Sequence, residues 1–378
     1  MLTACTTLQK PPPPVVVPPA AVIPPIPPAP KLEASSWDAM PGWTDDNLAQ
    51  SWDAFLQSCS VLVNQTPWQP VCLTAEFYEH KDNQSLRLFF ETNFTPYQVV
   101  NADGSDQGLV TGYYEPLLHG SRTPSKRFRY PIYGVPDDLL VVDMSDVYPE
   151  LKNLRLRGRI VGKKVVPYYS RAEIEEGEPA LKGRELLWVD DPVELFFLQI
   201  QGSGRIKLDT GETLHIGYAE QNGYPYKSIG RMLVERGELP LEKASMQGIK
   251  NWAIQNPERL TMLLNENPSY VFFRILPNDL PGPIGSLGVP LTAGRSLAID
   301  PRAIPQGSPV YLATTWPNSD KPLNRLMMAQ DRGGAINGGV RADFFWGFGE
   351  DAANQAGKMK QPGRMWVLLP KDYDLKPN

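Results

Sequence analysis

The chain has 378 residues, a formal net charge of −5 and 42% hydrophobic residues. This length suffices for two domains with separate hydrophobic cores. The mild charge and the lack of a long basic run argue against nucleic-acid binding, and no window offers the ~18 apolar residues that a membrane-spanning helix needs. The three histidines and three cysteines show no ligand spacing, so the sequence predicts neither a metal site nor a cofactor.

The first 36 residues combine a candidate lipidation motif with a proline-rich segment. The letters LTAC at positions 2–5 resemble a bacterial lipobox, in which Cys5 carries the lipid. A lipoprotein signal peptide has a charged start and an apolar stretch of ~7–15 residues before that motif. Neither precedes it here, so either the chain starts inside a longer signal peptide or the match is chance. The alternative to an anchor is an unanchored tail over residues 1–35.

Residues 11–30 are dominated by proline, which excludes a helix or a central strand. We expect a stiff, extended spacer with a reach of about 60 Å at ~3.1 Å per residue. A spacer behind a lipid at Cys5 suits an enzyme that must reach a polymer away from a membrane. The second residue after cleavage would be Thr6 rather than aspartate, which by analogy with bacterial lipoproteins favours the periplasmic face of the outer membrane.

Residues 37–111 are predicted to form a helical opening. Apolar residues at helical spacing predict a helix from Asn47 to Val63, with Asp45 or Asp46 as its N-terminal cap. The same pattern predicts two further helices, Leu73 to His80 and Asn83 to Asn93.

Cys59 and Cys72 flank a segment with a proline-containing turn, which could bring two elements together. An oxidising periplasm would favour a disulfide between them. The alternative, two buried free cysteines, stays open.

From Leu109 onward, β-branched and aromatic residues alternate with polar ones, which predicts strands. The apolar run that leads to Gly202-Ser203-Gly204 is also interpreted as a strand. Helices are predicted within this region at Tyr226 to Arg236 and at Leu241 to Asn256, followed by Pro257 to Asn265. The short strands after residue 281 suggest a small barrel, so the fold class is mainly β with helices.

Three aspartates in the last third stand beside glycine or proline: Asp300 in GRSLAIDP, Asp331 in AQDRGG and Asp343 in GGVRADFFWG. Carboxylates beside turns and aromatic rings are expensive to desolvate unless they have partners or a chemical role. Asp343, on a glycine-flanked loop with aromatic neighbours, could have a raised pKa and act as a general acid. Each aspartate also has a structural alternative as a turn residue, which is the better interpretation for Asp300. Their co-occurrence in one predicted barrel favours a carboxylate-centred site.

Several neighbouring residues could bind a polar substrate such as a sugar polymer. Gln201 and Ser203, on either side of Gly202, could donate or accept hydrogen bonds from a glycan. Trp346 offers a flat face for a sugar ring. The Gly-Ser-Gly segment lacks the third glycine of a dinucleotide loop and does not open a helix, which argues against a nucleotide site.

The order of several motifs resembles that of the membrane-bound lytic transglycosylase A family of murein-degrading lipoproteins. The motifs that carry the resemblance are VTGYYEP, YPIYG, YYSRAEI, QIQGSG, GYAEQNGYPYKSIG, NPSYVFF, VPLTAGRSLAID, AQDRGGAI and GRMWVLLP. They cover about Trp37 to Leu369, and the last part resembles the three-aspartate domain of that family.

The resemblance implies a fold and its domain limits. A double-psi β-barrel domain is formed by residues 37–111 and 281–378, and a smaller β-domain at 112–280 is inserted between them. The glycan lies in the groove between the two domains.

The resemblance also implies an activity and a site. Asp343 matches the catalytic residue, Asp331 and Asp300 match the supporting aspartates, and Thr111 and Gln201–Ser203 fall where groove residues are expected. The implied reaction cleaves the β-1,4 bond between N-acetylmuramic acid and N-acetylglucosamine and leaves a 1,6-anhydromuramic end. It needs one carboxylate, whereas hydrolysis of the lysozyme type generally needs two. The implied partners are glycan strands and, through the anchor, the outer membrane; partners among murein-synthesis proteins stay open.

Two other interpretations remain. One is a glycan-binding lipoprotein that no longer catalyses. The other is a hydrolase of another polysaccharide, which would leave reducing ends.

Overall fold

The computed structural model describes residues 30–151 and 154–375. The predicted lipidation site, Cys5, and residues 11–29 of the predicted spacer lie outside the described residues. Nine α-helices lie in the described part of the chain: α1 Ala49–Leu62, α2 Gln69–Glu76, α3 Asn83–Asn93, α4 Arg171–Glu175, α5 Pro192–Gln201, α6 Ile229–Glu235, α7 Met246–Gln255, α8 Leu260–Asn265 and α9 Glu350–Lys358. No helix within these residues has both the length and the apolar character required to cross a bilayer.

The same ranges contain seventeen strands. They are β1 Lys31–Ala34, β2 Phe94–Val100, β3 Gly108–Glu115, β4 Leu117–Ser121, β5 Tyr130–Tyr133, β6 Leu140–Val141, β7 Arg157–Val161, β8 Lys164–Pro167, β9 Glu185–Val189, β10 Ser203–Leu208, β11 Thr213–Gln221, β12 Val271–Leu276, β13 Ser296–Ile299, β14 Pro309–Thr315, β15 Pro322–Asp331, β16 Arg341–Phe348 and β17 Lys360–Pro370. The fold is therefore mainly β with helices, as the sequence predicted.

The largest sheet has eight strands in the order β1-β2-β17-β14-β15-β13-β16-β3. Because β3 also pairs with β17, six of these strands close into a ring, which is the small barrel that the strand pattern suggested. The double-psi crossing that the resemblance implies stays a prediction.

A second sheet of six strands has the order β12-β11-β10-β4-β9-β5, and β6, β7 and β8 form a separate sheet of three. The chain leaves the barrel at the end of β3, builds both of these sheets, and returns to the barrel at β13. The exact limits of the predicted inserted domain, residues 112 and 280, stay a prediction.

Separate hydrophobic cores support the two larger sheets. The barrel core includes aromatic side chains of α1 and α3 that are entirely enclosed, such as Trp52, Phe55 and Phe90. Leu187, Leu198, Ile206 and other aliphatic residues fill the core of the six-stranded sheet. The length of the chain predicted this division.

Helix α1 begins at Ala49 without a side-chain cap, so the prediction that Asp45 or Asp46 caps it was wrong. The carboxylate of Asp46 instead accepts hydrogen bonds from both terminal nitrogens of Arg295, at 3.0 Å each, and from the backbone N–H of Leu326 at 2.6 Å. Both charged side chains of this pair are buried. Leaving a buried guanidinium without a carboxylate costs far more free energy than leaving an exposed helix end without a cap, because an unpaired charge is then kept away from water.

The other two helices of the opening lie near their predicted positions. α3 spans Asn83–Asn93 as predicted, and Asp82 caps it by accepting from two backbone N–H groups. α2 begins and ends about four residues earlier than predicted, with Pro70 in its first turn, where proline is favoured. A disulfide joins Cys59 of α1 to Cys72 of α2, which resolves the alternative that the sequence left open.

The apolar run before Gly202 forms helix α5, so its interpretation as a strand was wrong. Asp191 caps the helix by accepting from two backbone N–H groups, and Pro192 occupies the first turn. Gly202 ends it in the left-handed region at φ 80°. These end signals decide the structure, since periodicity alone cannot distinguish a buried helix from a buried strand.

Gly112 in β3 allows a close approach between this strand and its neighbours. A Cβ atom at this position would lie 2.6 Å from Nε1 of Trp346 and 2.9 Å from the Cα of Ala356. We expect Gly112→Ala to lower the free energy of unfolding by about 1–3 kcal/mol, the usual cost of overpacking. Urea denaturation would measure it.

The matched control is Gly357→Ala in α9, where a Cβ atom would have nothing within 4 Å. That change should be neutral or stabilising by up to about 1 kcal/mol, since alanine favours helix. Equal effects of the two substitutions would contradict the close approach at β3.

Candidate active site

A cavity of about 480 Å³ lies between the barrel and the six-stranded sheet. The barrel side contributes residues from the end of β15 and the loop after it, together with Asp343 of β16. The other side contributes the end of α5 and residues of β11 and β12. Twelve of the lining residues are Tyr113, Arg155, Gln201, Gly202, Ser203, Tyr218, Arg274, Ser286, Ala298, Asp331, Arg332 and Asp343.

Asp343 lies within strand β16, so the prediction that it stands on a loop was wrong. In the sheet it is paired with Ala298 of β13 on one side and with Thr111 of β3 on the other. The Thr111 hydroxyl donates a 2.6 Å hydrogen bond to Oδ1 of Asp343. Oδ2 has no hydrogen-bond partner within residues 30–151 and 154–375, and the side chain is only partly covered. One oxygen is therefore held in place while the other is available to a ligand.

The surroundings of Asp343 favour its protonated form. Its pKa is raised to about 6. Burial is the largest cause, and the charge of Asp331 acts in the same direction, while the Thr111 hydrogen bond and the Arg341 charge lower the pKa by less. A carboxyl with a pKa near neutral can give up a proton and take one back at physiological pH, which suits general acid–base catalysis. The predicted raised pKa is thus supported by the geometry.

Asp331 ends strand β15 and is held by partners on both oxygens. Oδ1 accepts from the backbone N–H of Ser286 at 2.9 Å, and Oδ2 accepts from the hydroxyl of Tyr113 at 3.1 Å. Burial raises its pKa, although these hydrogen bonds act in the opposite direction. Asp331, Ala298, Asp343 and Thr111 lie in one row across four neighbouring strands. The small side chain of Ala298 leaves space between the two carboxylates.

Tyr113 is a site residue that the sequence analysis did not single out. It is buried in β3 against Phe345, with ring centres 5.1 Å apart. Burial and the charges of Asp331 and Asp343 raise its pKa well above the ordinary value, so the phenol stays protonated and donates to Asp331. The signal was available: Thr111 and Tyr113 are two residues apart and therefore point to the same face of a strand.

Asp300 has a structural role in the loop before β16. It accepts from the backbone N–H of Arg302, from the Arg302 guanidinium and from the backbone N–H of Gly338. Burial alone would raise its pKa, but these hydrogen bonds outweigh burial and hold the pKa below its ordinary value. It does not line the described cavity, and it supports the site by fixing the loop that leads into β16.

Gln201, Gly202 and Ser203 line the cavity on the side opposite the barrel. The side-chain oxygen of Gln201 accepts from the backbone N–H of Tyr114 at 3.1 Å, which ties the end of α5 to β3. The structure therefore brings these three residues and Asp343 to one cavity. Thr111 is absent from the cavity lining and contacts Asp343 instead.

Trp346 does not face the cavity, so its predicted role in stacking against a sugar was wrong. Its ring packs against Phe344 and Trp316, with centroids 4.5 Å and 5.4 Å away, and its N–H points to the sulfur of Met359. Side chains alternate along a strand, so Trp346, three residues after Asp343, points to the opposite face.

Within the described ranges, no cluster of three or more His, Cys, Asp or Glu side chains could hold a metal ion.

Two family models and a curated relative match this chain. The family model for the MltA specific insert domain matches residues 109–274, and the 3D domain model matches residues 295–369. The membrane-bound lytic murein transglycosylase A of Escherichia coli K12 is 33% identical over 295 residues, which covers 76% of this chain and 72% of that protein.

Two solved structures are also similar. The crystal structure of MltA from Neisseria gonorrhoeae is 42% identical, with a TM-score of 0.79 and coverage of 92% of this chain and 95% of that one. The crystal structure of E. coli MltA with bound chitohexaose is 28% identical, with a TM-score of 0.64 and coverage of 90% and 91%. This chain belongs to the membrane-bound lytic murein transglycosylase A family.

Proposed function

We propose that this chain cleaves the β-1,4 bond between N-acetylmuramic acid and N-acetylglucosamine in peptidoglycan and forms a 1,6-anhydromuramic end. As a member of its family, the chain is an enzyme of the peptidoglycan-cleaving lyase class. The observation that carries the finer proposal is Asp343: its pKa is raised to about 6, and one of its oxygens is available at the cavity wall. The chitohexaose complex of the E. coli relative supports a sugar strand as the ligand of this cavity.

In the first step, protonated Asp343 gives its proton to the glycosidic oxygen. The bond between that oxygen and C1 of the muramic ring breaks, and the N-acetylglucosamine side leaves as an alcohol. The hydrogen bond from Thr111 stabilises the carboxylate that this step leaves behind.

In the second step, the Asp343 carboxylate removes the proton from the C6 hydroxyl of the same muramic ring. The C6 oxygen forms a bond to C1 and closes the anhydro ring, so Asp343 is protonated again and no water is consumed. A nucleophile within the substrate has a high effective concentration, which offsets the lack of a second acting carboxylate. Both oxygens of Asp331 already accept hydrogen bonds, which supports a positioning role rather than that of a nucleophile.

The proposal includes an anchor. The lipobox-like motif would attach the protein through Cys5 to the outer membrane on its periplasmic face, and the proline-rich segment would let the two domains reach the murein. The name of the E. coli relative, which is membrane-bound, supports an association with a membrane.

Within the proposed function, the first prediction concerns Asp343→Asn. The variant should lose release of anhydro-muropeptides from purified sacculi by at least about a thousandfold, because the amide can neither donate nor accept the proton. Mass spectrometry of the digest would measure it. Asp320→Asn, an exposed change in the turn between β14 and β15, is the matched control and should retain full activity.

Undiminished release of anhydro ends by Asp343→Asn would remove this residue from the mechanism. Reducing ends in the wild-type digest would favour the hydrolase, and no new ends would favour a pure glycan binder.

The second prediction concerns stability and pH. The folded-state pKa of Asp343, about 6, exceeds its ordinary value of 3.8, so the ionised carboxylate destabilises the fold. Relative to wild type, Asp343→Asn should therefore gain stability as the pH rises from about 4 to 6 and keep that gain above pH 6. Melting temperatures of both proteins across this range would test the sign, and a relative loss above pH 6 would contradict it.

The third prediction concerns Thr111. Its hydrogen bond lowers the pKa of Asp343, so Thr111→Val should raise that pKa and move the alkaline fall of kcat/KM, expected near pH 6 in the wild type, to higher pH. Thr111→Ser keeps the hydroxyl and should retain the wild-type profile. Identical profiles for all three proteins would show that the hydrogen bond does not tune the acid.

A further inference from the structure

Three arginines line the same cavity as Asp343: Arg155, Arg274 and Arg332. They come from three separate segments, namely the residues before β7, strand β12 and the loop after β15. The cavity also has two carboxylates, Asp331 and Asp343, and burial favours the neutral form of both. The cavity wall is therefore rich in positive charge in a chain whose net charge is −5.

None of the three arginines forms an ion pair with a carboxylate within residues 30–151 and 154–375. The nearby Glu220 is engaged by Arg157, at 2.9 Å, and by the hydroxyl of Tyr218 at 3.1 Å. Asp331 is engaged by Ser286 and Tyr113. Glu220 and Asp331 thus have other partners, and the three guanidinium groups are available to a ligand.

Arg155 is the most enclosed of the three. Its Nη1 lies 4.0 Å from where a Cβ atom on Gly334 would be, so it reaches from the inserted part of the chain to the loop after β15. Burial lowers its pKa, which shows that the charge is partly desolvated. A partly desolvated guanidinium without a carboxylate is costly unless a ligand supplies one.

The ligand follows from the chemistry of the proposed substrate, and the inference rests on that proposed function. The N-acetylated sugar rings carry no charge. The carboxylates of a peptidoglycan strand belong to the lactyl side arm of muramic acid, either in the peptide attached to it or in the lactyl group itself where the peptide is missing. Guanidinium groups bind carboxylates through paired, charge-assisted hydrogen bonds.

We propose that Arg155, Arg274 and Arg332 form a subsite that binds a carboxylate of the muramic side arm. The subsite makes the enzyme prefer charged murein strands to neutral glycans of the same length. It lies on the same cavity as the acid, so it would also fix which sugar ring is presented to Asp343.

Binding affinities would test the subsite without relying on cleavage. The Kd of three glycan tetrasaccharides would be measured in the Asp343→Asn background: one with stem peptides, one with free lactyl carboxylates after removal of the peptides, and one with those carboxylates converted to neutral amides. A second protein adds three substitutions to this background: Arg155→Gln, Arg274→Gln and Arg332→Gln. They should weaken binding of a charged glycan at least about tenfold and leave the Kd of the neutral glycan within about twofold. The effect should shrink at high salt.

A loss confined to the peptide-bearing glycan would assign the subsite to the stem peptide, and a loss on the glycan with free lactyl groups would assign it to the lactyl carboxylate. Equal loss on all three glycans would overturn the proposal. Arg332→Gln alone, at an exposed position, keeps the test valid if the triple variant fails to fold. Arg231→Gln, on the exposed face of α6, is the matched control and should change none of the affinities.

Cleavage by the otherwise unmodified enzyme separates this inference from the proposed function. If the wild type released no anhydro ends but the arginines still distinguished charged from neutral glycans, the proposed reaction would be wrong and the subsite would stand. If anhydro ends were released and the affinities were indifferent to charge, the reaction would stand and the subsite would be wrong.

Discussion

The parallel pairing of β3 with β16 is the constraint on which the site depends. It brings together residues that are 232 positions apart in the chain and places the Thr111 hydroxyl 2.6 Å from Asp343. Two residues further along β3, Tyr113 reaches Asp331 from the same face. Gly112, between them, faces the other way and lets Trp346 and α9 pack directly on the strand. Thr111 thus orients Asp343, Gly112 allows close packing on the barrel wall, and Tyr113 holds Asp331.

The aspartates of this fold show how the same side chain serves structure or chemistry according to its partners. Asp46 accepts two hydrogen bonds from buried Arg295, and removing one partner of such a pair typically costs about 3–5 kcal/mol. Asp300 is likewise surrounded by donors, and its pKa is lowered. Among the residues that the structure describes, Asp343 has a single donor, and its pKa is raised. It is the aspartate whose surroundings leave the proton easy to exchange, at some expense in stability.

The sequence predicted the mainly β class and the helix at Asn83–Asn93, and the family resemblance pointed to Asp343 and to the Gln201–Ser203 segment, which line one cavity. The predictions from sequence were wrong where contacts with residues far away in the chain determine the structure. Asp46 was expected to cap α1 because Arg295, its true partner, is 249 residues away. Trp346 was expected in the groove because its neighbours in the sequence include Asp343, although strand alternation turns it to the opposite face. The cap residues at both ends of α5, Asp191 and Gly202, are visible in the sequence, and they indicate a helix more strongly than the apolar character of the segment indicates a strand.

The cavity itself could not be predicted residue by residue, because its wall is assembled across the boundary between the barrel and the six-stranded sheet. A cluster joins the two near the end of β3. Buried Glu115 pairs with the ring of buried His215, and the partly exposed Arg205, 3.6 Å from Glu115, stacks 4.2 Å above Phe348 at the end of β16. The arginines of the proposed subsite also come from both sides of the cavity. A bound strand would therefore contact both parts across the cavity, in addition to the pairing of Glu115 with His215 and Arg205 that joins them at the end of β3.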